Sequence, residues 1–297
     1  MSPQLIIMTV LALLPAAALM FYIYKMDRAE KEPVGLLIGL FFAGVGSTIP
    51  AIILEIFAEC SINAVFCGVF AQGEPESFSS DASFFLYYFI KNFFGIALME
   101  EGVKFFFMFL ITRKNKNFNC LFDGVVYAVF VSLGFAAAEN ILYVYQLGVG
   151  NALLRMVTAV PAHCFFAVFM GYFYSRWHLT RQAALLEKRL RDYRVIPAGE
   201  PAFRTAGLMA LTPAVPIAAH GFYDLCATID SVLFLVLFFL FLGFMYFICF
   251  RNVYKLSKRD QYTHFLSMDM VLKKYPNAAA YVSTIPEYAQ YFYRNQV

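Results

Sequence analysis

Residues 98–111 read LMEEGVKFFFMFLI. Two adjacent carboxylates, Glu100 and Glu101, and one ammonium, Lys104, interrupt an apolar run long enough to enter a bilayer. A charge at membrane depth costs roughly 2.5–3.5 kcal/mol on insertion scales, so charges there are rare and read by default as functional. Three later apolar runs repeat the pattern. They carry Glu139–Asn140, then His163, then His220 with Asp224. The spacing of these groups along separate spans predicts that they meet in one buried polar site.

The composition sets the solvent. Of 297 residues, 61% are hydrophobic and 14% charged, against about 45–50% and about 25% in a soluble domain. The chain therefore reads as an all-α polytopic membrane protein, a bundle of about seven transmembrane helices. The net charge of +3 is small, and its placement matters more than its sum. No nucleic-acid partner is expected; the lipid bilayer is the surrounding medium. Six cysteines include no Cys-x-x-Cys pair, so a zinc ribbon has no support. The first apolar segment follows MSPQ without a basic stretch and reads as a span rather than a cleaved leader.

The expected spans cover residues 4–24, 34–58, 84–112, 120–147, 152–175, 206–228 and 231–250, each long enough to cross about 30 Å of hydrocarbon. Basic residues orient them. Lys25, Arg28 and Lys31 follow the first span, and Arg113, Lys114 and Lys116 the third. Seven more lie between Arg176 and Arg204, and Arg251, Lys255, Lys258 and Arg259 follow the seventh. The opposite stretch 59–83 holds Glu59, Glu74, Glu76 and Asp81 with no Lys or Arg, and Arg155 is the basic residue near the other outer turns. The alternation predicts an outer N-terminus and a cytoplasmic C-terminus. Residues 1–255 form the membrane domain, with a catalytic core at about 84–228, and 256–297 a cytoplasmic tail. Cys60 and Cys67 share the outer stretch, as a bridge or as two free thiols. Residues 185–193 (LLEKRLRDY) read as a solvated connector helix. Lys91 breaks the third segment, whose span proper begins near Asn92.

Helical faces group the polar residues. Glu100 and Lys104 are four apart and stack, while Glu101 is turned by about 100° from Glu100. The ammonium is expected to pair with one carboxylate and leave the other turned away. Asp224 follows His220 by four and is placed to hold its ring. Pro161, Pro213 and Pro216 are expected to kink the helices bearing the histidines. At 1.5 Å per residue, Glu101 lies about 18 Å, His163 about 20 Å and His220 about 20 Å from the cytoplasmic ends of their spans, with Glu139 higher at about 25 Å. Each group has a plainer reading: a Glu–Lys pair that joins helices, a histidine satisfied by a neighbour, an aspartate at a helix end. Four polar positions on four spans weigh against all of those together. His178 and His264 lie outside the set, and the 35 phenylalanines read as lipid-facing packing.

At these residues the chain resembles the PrsW family of intramembrane proteases, grouped with CAAX prenyl endopeptidases and bacterial Abi proteins. The pattern is Glu100-Glu101-x-x-Lys104, then Phe135-x-x-x-Glu139-Asn140, then His163, then His220-x-x-x-Asp224. It covers spans three to six, about half of the chain. The resemblance implies a peptidase of the bacterial cell membrane making the first, site-1 cut in a membrane-anchored anti-sigma factor. Glu100 or Glu101 would activate water. His163 and His220 would stabilise the oxyanion or protonate the leaving amine, with Lys104, Glu139, Asn140 and Asp224 in support. Glu139, His163 and His220 are candidate ligands should zinc be present; a metal-free glutamate mechanism is equally open. HExxH and Gly-x-Ser-x-Gly are absent. A transporter or proton relay, and a non-catalytic scaffold, are the rival readings.

Overall fold

Backbone in hydrocarbon must satisfy its own hydrogen bonds, so long apolar runs become helices. The computed structural model describes residues 3–69 and 80–294, and among them no strand forms beyond one isolated bridge between Cys120 and Tyr262. The helices are α1 (Pro3–Met26), α2 (Val34–Val69), α3 (Asp81–Ile90), a π-helical segment (Lys91–Ala97), α4 (Leu98–Thr112), α5 (Asp123–Val157), α6 (Ala159–Asp192), α7 (Ala206–Thr228), α8 (Val232–Lys258), α9 (Thr263–Lys274), a 3-10 turn (Pro276–Ala278), α10 (Ala279–Val282) and α11 (Pro286–Arg294). By length and composition α1, α2, α5, α6 and α8 can each cross a membrane. α4 has 15 residues, and α7 carries two prolines as well as His220 and Asp224.

The centre is the α5–α6 pair, the most extensive contact of the bundle. In their spanning windows 72% and 67% of residues are buried, against 17% in α1 and α8, which face outward. α1 and α2 flank α5, while α7 packs on α6 and on the π segment. Small residues permit the closest approach. A Cβ on Gly171 would stand 2.4 Å from the Gly124 carbonyl oxygen, so α5 and α6 touch backbone to backbone there.

Several expectations need correction. α2 runs on to Val69, so Glu59 and Cys60 stand on a helix, and Glu59 accepts from Lys91 at 2.5 Å. Lys91 therefore does not break the third segment; the helix continues from Asp81 to Thr112 with a wider π turn inside it. The Cys67 side chain, and with it any bridge to Cys60, lies outside the described residues. α5 continues past residue 147, bending at Gly148 (φ 80°). Pro161 lies in the first turn of α6, where no intrahelical donor is lost, so the break is at Thr158 rather than at a proline kink.

The connector at 185–193 is a helix to Asp192, solvated on one face only. α6 is continuous through it, and Leu186 and Leu190 are buried in a second core with Met268, Val271, Val282 and Ile285 of the tail. Glu187 anchors this junction, accepting from Arg191 Nη2 and Tyr275 OH, both at 2.7 Å.

Candidate active site

The π segment sets the register of the site. Its i→i+5 turns widen the helix ahead of Glu100. Asn92 Nδ2 donates to the Tyr88 carbonyl at 2.8 Å, which also accepts from the Lys91 N–H. Gly221 lets α7 close on this segment, since a Cβ there would stand 2.6 Å from the Phe93 ring. That approach carries His220, the neighbouring residue, against Glu101.

Lys104 is the hub. Its Nζ donates to Glu101 Oε1 at 2.7 Å and to Glu100 Oε2 at 2.9 Å, and lies over the Phe135 ring at 4.0 Å. The ammonium thus holds both carboxylates rather than one; a lysine stem is long enough to reach i−3 and i−4 together. Nζ also lies 3.1 Å from His163 Nδ1. An ammonium has no lone pair, so Nδ1 accepts and the proton of a neutral ring sits on Nε2. Nε2 then donates to Glu139 Oε2 at 2.9 Å. Glu139 is held in turn by Arg155, 3.0 Å from Oε1.

His220 lies between two acids. Its Nδ1 is 3.0 Å from Glu101 Oε1, and its Nε2 is 3.2 Å from Asp224 Oδ2, within ion-pair range. The ring stacks on Phe166 at 5.0 Å and meets His163 edge-on at 5.3 Å. At this place the ring can take or give a proton at either nitrogen.

These groups border a cavity of about 210 Å³, roomy enough for several waters. Glu100, Glu139, His163, His220 and Asp224 line it. Glu101 does not: it is fully buried behind them, and its Oε2 has no partner. Asn140 is also away from the cavity. Its amide donates to the Ala12 carbonyl at 2.9 Å and its oxygen accepts from Arg155 at 3.1 Å, tying α1 to α5. The residues that sequence reasoning missed are Arg155, Asn92, Thr228 and Glu55. From sequence Arg155 reads as an orienting charge near an outer turn. Glu55, a lone acid in an apolar run of α2, stands within electrostatic reach of Glu100 and Glu139.

A metal can be tested against this donor set. Ligand atoms of Glu100, Glu101, His163 and His220 lie within 4.8 Å of one another. Two carboxylates and two imidazoles suit zinc, and the unpartnered Glu101 Oε2 is a spare donor. Lys104 holds three of the four residues, so a metal would have to displace the ammonium from them. Glu139 stands outside this group, bonded to His163 Nε2.

The fold and the site together define a multi-pass membrane protein whose spans enclose a polar Glu–His–Lys cluster. The family described as "PrsW family intramembrane metalloprotease" matches residues 32–250, and the chain belongs to that family. It is 35% identical over 164 residues to "Protease PrsW" of Oceanobacillus iheyensis, covering 54% of this chain and 65% of that one. It is 27% identical over 214 residues to the Bacillus subtilis protein of that name, covering 72% and 79%, and 27% identical over 252 residues to the Shouchella clausii one, covering 85% and 96%. No solved structure matches the chain. It is a multi-pass protein of the bacterial cell membrane.

Proposed function

We propose that this chain is an intramembrane peptidase that makes the site-1 cut in a membrane-anchored anti-sigma factor, with its N-terminus outside, seven spans, and the tail in the cytoplasm. In this reading residues 1–255 are the protease domain, with the core at 84–228, and 256–297 the tail. The observation that carries it is the unbroken chain Arg155–Glu139–His163–Lys104–Glu101–His220–Asp224 beside a cavity inside the bundle. The substrate class follows from the family resemblance. The wider grouping with CAAX endopeptidases and Abi proteins rests on the Glu-Glu-x-x-Lys and histidine motifs.

Glu100 faces the cavity and takes a proton from water there. The water oxygen bonds to the scissile carbonyl carbon. Negative charge grows on the carbonyl oxygen, near the edge of His163 and the Lys104 charge behind it. The C–N bond breaks as His220 gives its proton to the leaving amine. Glu101 is a positioning residue: its one engaged oxygen fixes both Lys104 and His220. Glu139 and Arg155 hold the His163 tautomer, and Asp224 holds His220. Zinc, if bound, would be held by Glu100, Glu101, His163 and His220 and would act as a Lewis acid.

The test is cleavage of a membrane-anchored anti-sigma factor by purified protein, read as product mass. Glu100→Gln should lower turnover at least 100-fold with little change in melting temperature, and Glu101→Gln should do so with a shifted pH profile. Ion flux without proteolysis would establish a transporter instead, and neither activity a scaffold. Stoichiometric zinc that is lost in His163→Ala would assign the metal.

A further inference from the structure

We propose that the groove beside the cavity is where the substrate chain enters, as one extended strand leaving the lipid. The inference rests on the peptidase reading and adds the path to it. The groove encloses about 710 Å³ and shares Arg155, Ala159, Tyr223, Asp224, Ala227 and Thr228 with the inner cavity, so the two spaces adjoin. Its far wall is the first two turns of α8. Val232, Leu235 and Phe239 lie there three or four residues apart, on one helical face, and are 80%, 55% and 57% exposed. Its rim is the α7–α8 turn, with extended backbone at Ile229 (φ −81°, ψ 114°) and Ser231 (φ −151°, ψ 140°). A hydrogen bond from Tyr246 OH to the Val157 carbonyl, 2.8 Å, ties α8 to the end of α5.

The chemistry selects the occupant. Inside a helix each carbonyl is engaged with a following N–H and screened by side chains, so hydrolysis needs locally extended chain. A strand here meets apolar side chains on the α8 wall and charged groups at the inner end. An acyl chain would suit the α8 wall alone. It would set Asp230 and the outer faces of Arg155 and Asp224 against hydrocarbon, which offers charged groups no hydrogen bonds.

The test compares two substrates: the membrane-anchored anti-sigma factor and a soluble peptide of about ten residues containing the bond cut in it. The reading is the ratio of kcat/KM for the anchored protein to that for the peptide. Leu235→Trp and Phe239→Trp, both at exposed positions, should each lower this ratio at least 10-fold. Leu240→Trp, 66% exposed and outside the groove lining, should leave it at the wild-type value. An unchanged ratio in both groove variants, with wild type active, overturns the entry path and leaves the peptidase standing. Wild type inactive on both substrates overturns the peptidase and the path together.

Discussion

The cavity and the junction where the α1–α2 loop meets the head of α5 both bury carboxylates, and they compensate them by different means. In the cavity each acid meets a base: Glu100 and Glu101 meet Lys104, Glu139 meets Arg155 and His163, and Asp224 meets His220. At the junction Asp27 and Glu32 of the α1–α2 loop approach Asp123 at the head of α5 and Asp260 after α8. Among the described residues none of these four has an ion-pair partner within 4.0 Å. Asp123 Oδ2 accepts from the Cys120 and Asn119 N–H groups at 2.6 and 2.9 Å, and Asp260 Oδ1 from that of Phe122 at 2.9 Å. Asp27 Oδ1, Glu32 Oε2, Asp123 Oδ1 and Asp260 Oδ2 are buried with no partner. Lys31 gives its ammonium to the Tyr24 and Asp27 carbonyls instead. Burial pushes Asp27 up to about 6 and Glu32 up to about 7. Fixed cations serve the place where chemistry needs ionised groups in register. At the junction burial without a cation favours the protonated acids instead.

Three substitutions sharpen this contrast. The largest effect belongs to Lys104→Met, which strands Glu100 and Glu101. Breaking a buried pair from one side costs about 3–5 kcal/mol, read as unfolding free energy in detergent micelles. A cost below about 1 kcal/mol would mean that the cavity also takes up protons in compensation.

The next is pH. Glu32 has a folded pKa near 7, above about 4.3 for a free glutamate. Between those values the folded chain holds the extra proton. Its contribution is therefore complete below about pH 4 and lost as pH rises through about 7. Wild type should lose stability from pH 5 to pH 8, and Glu32→Gln should flatten the curve, adding about 1–2 kcal/mol at pH 8. A parallel pair of curves would break the comparison. The smallest effect is Tyr246→Phe, which removes one exposed hydrogen bond and should cost about 0.5–1 kcal/mol, a baseline for both regions.

Much of the cavity was legible because intramembrane charges stand out against Leu and Phe. Glu100, Glu101, His163 and His220 share a height that one multiplication per span already gives. The π segment was not legible: KNFFGIA has no residue that marks a wider turn. Arg155 was missed because, near a span end, an arginine reads as a topology signal. The junction acids were invisible for the converse reason, since carboxylates in loops are ordinary until folding buries them. The tail core escaped too. Leu186 and Leu190 share a helix face with Ala183 only if α6 runs unbroken past the membrane.

That unbroken helix works as a lever. Its fulcrum is the backbone contact at Gly171 and Gly124. From there, at 1.5 Å per residue, His163 is about 12 Å away on one arm and Leu190 about 29 Å on the other. A rigid tilt that moved Leu190 by about 3 Å would move the imidazole by about 1 Å. The tail helices packed on Leu186 and Leu190 therefore hold the long arm of the helix that carries His163.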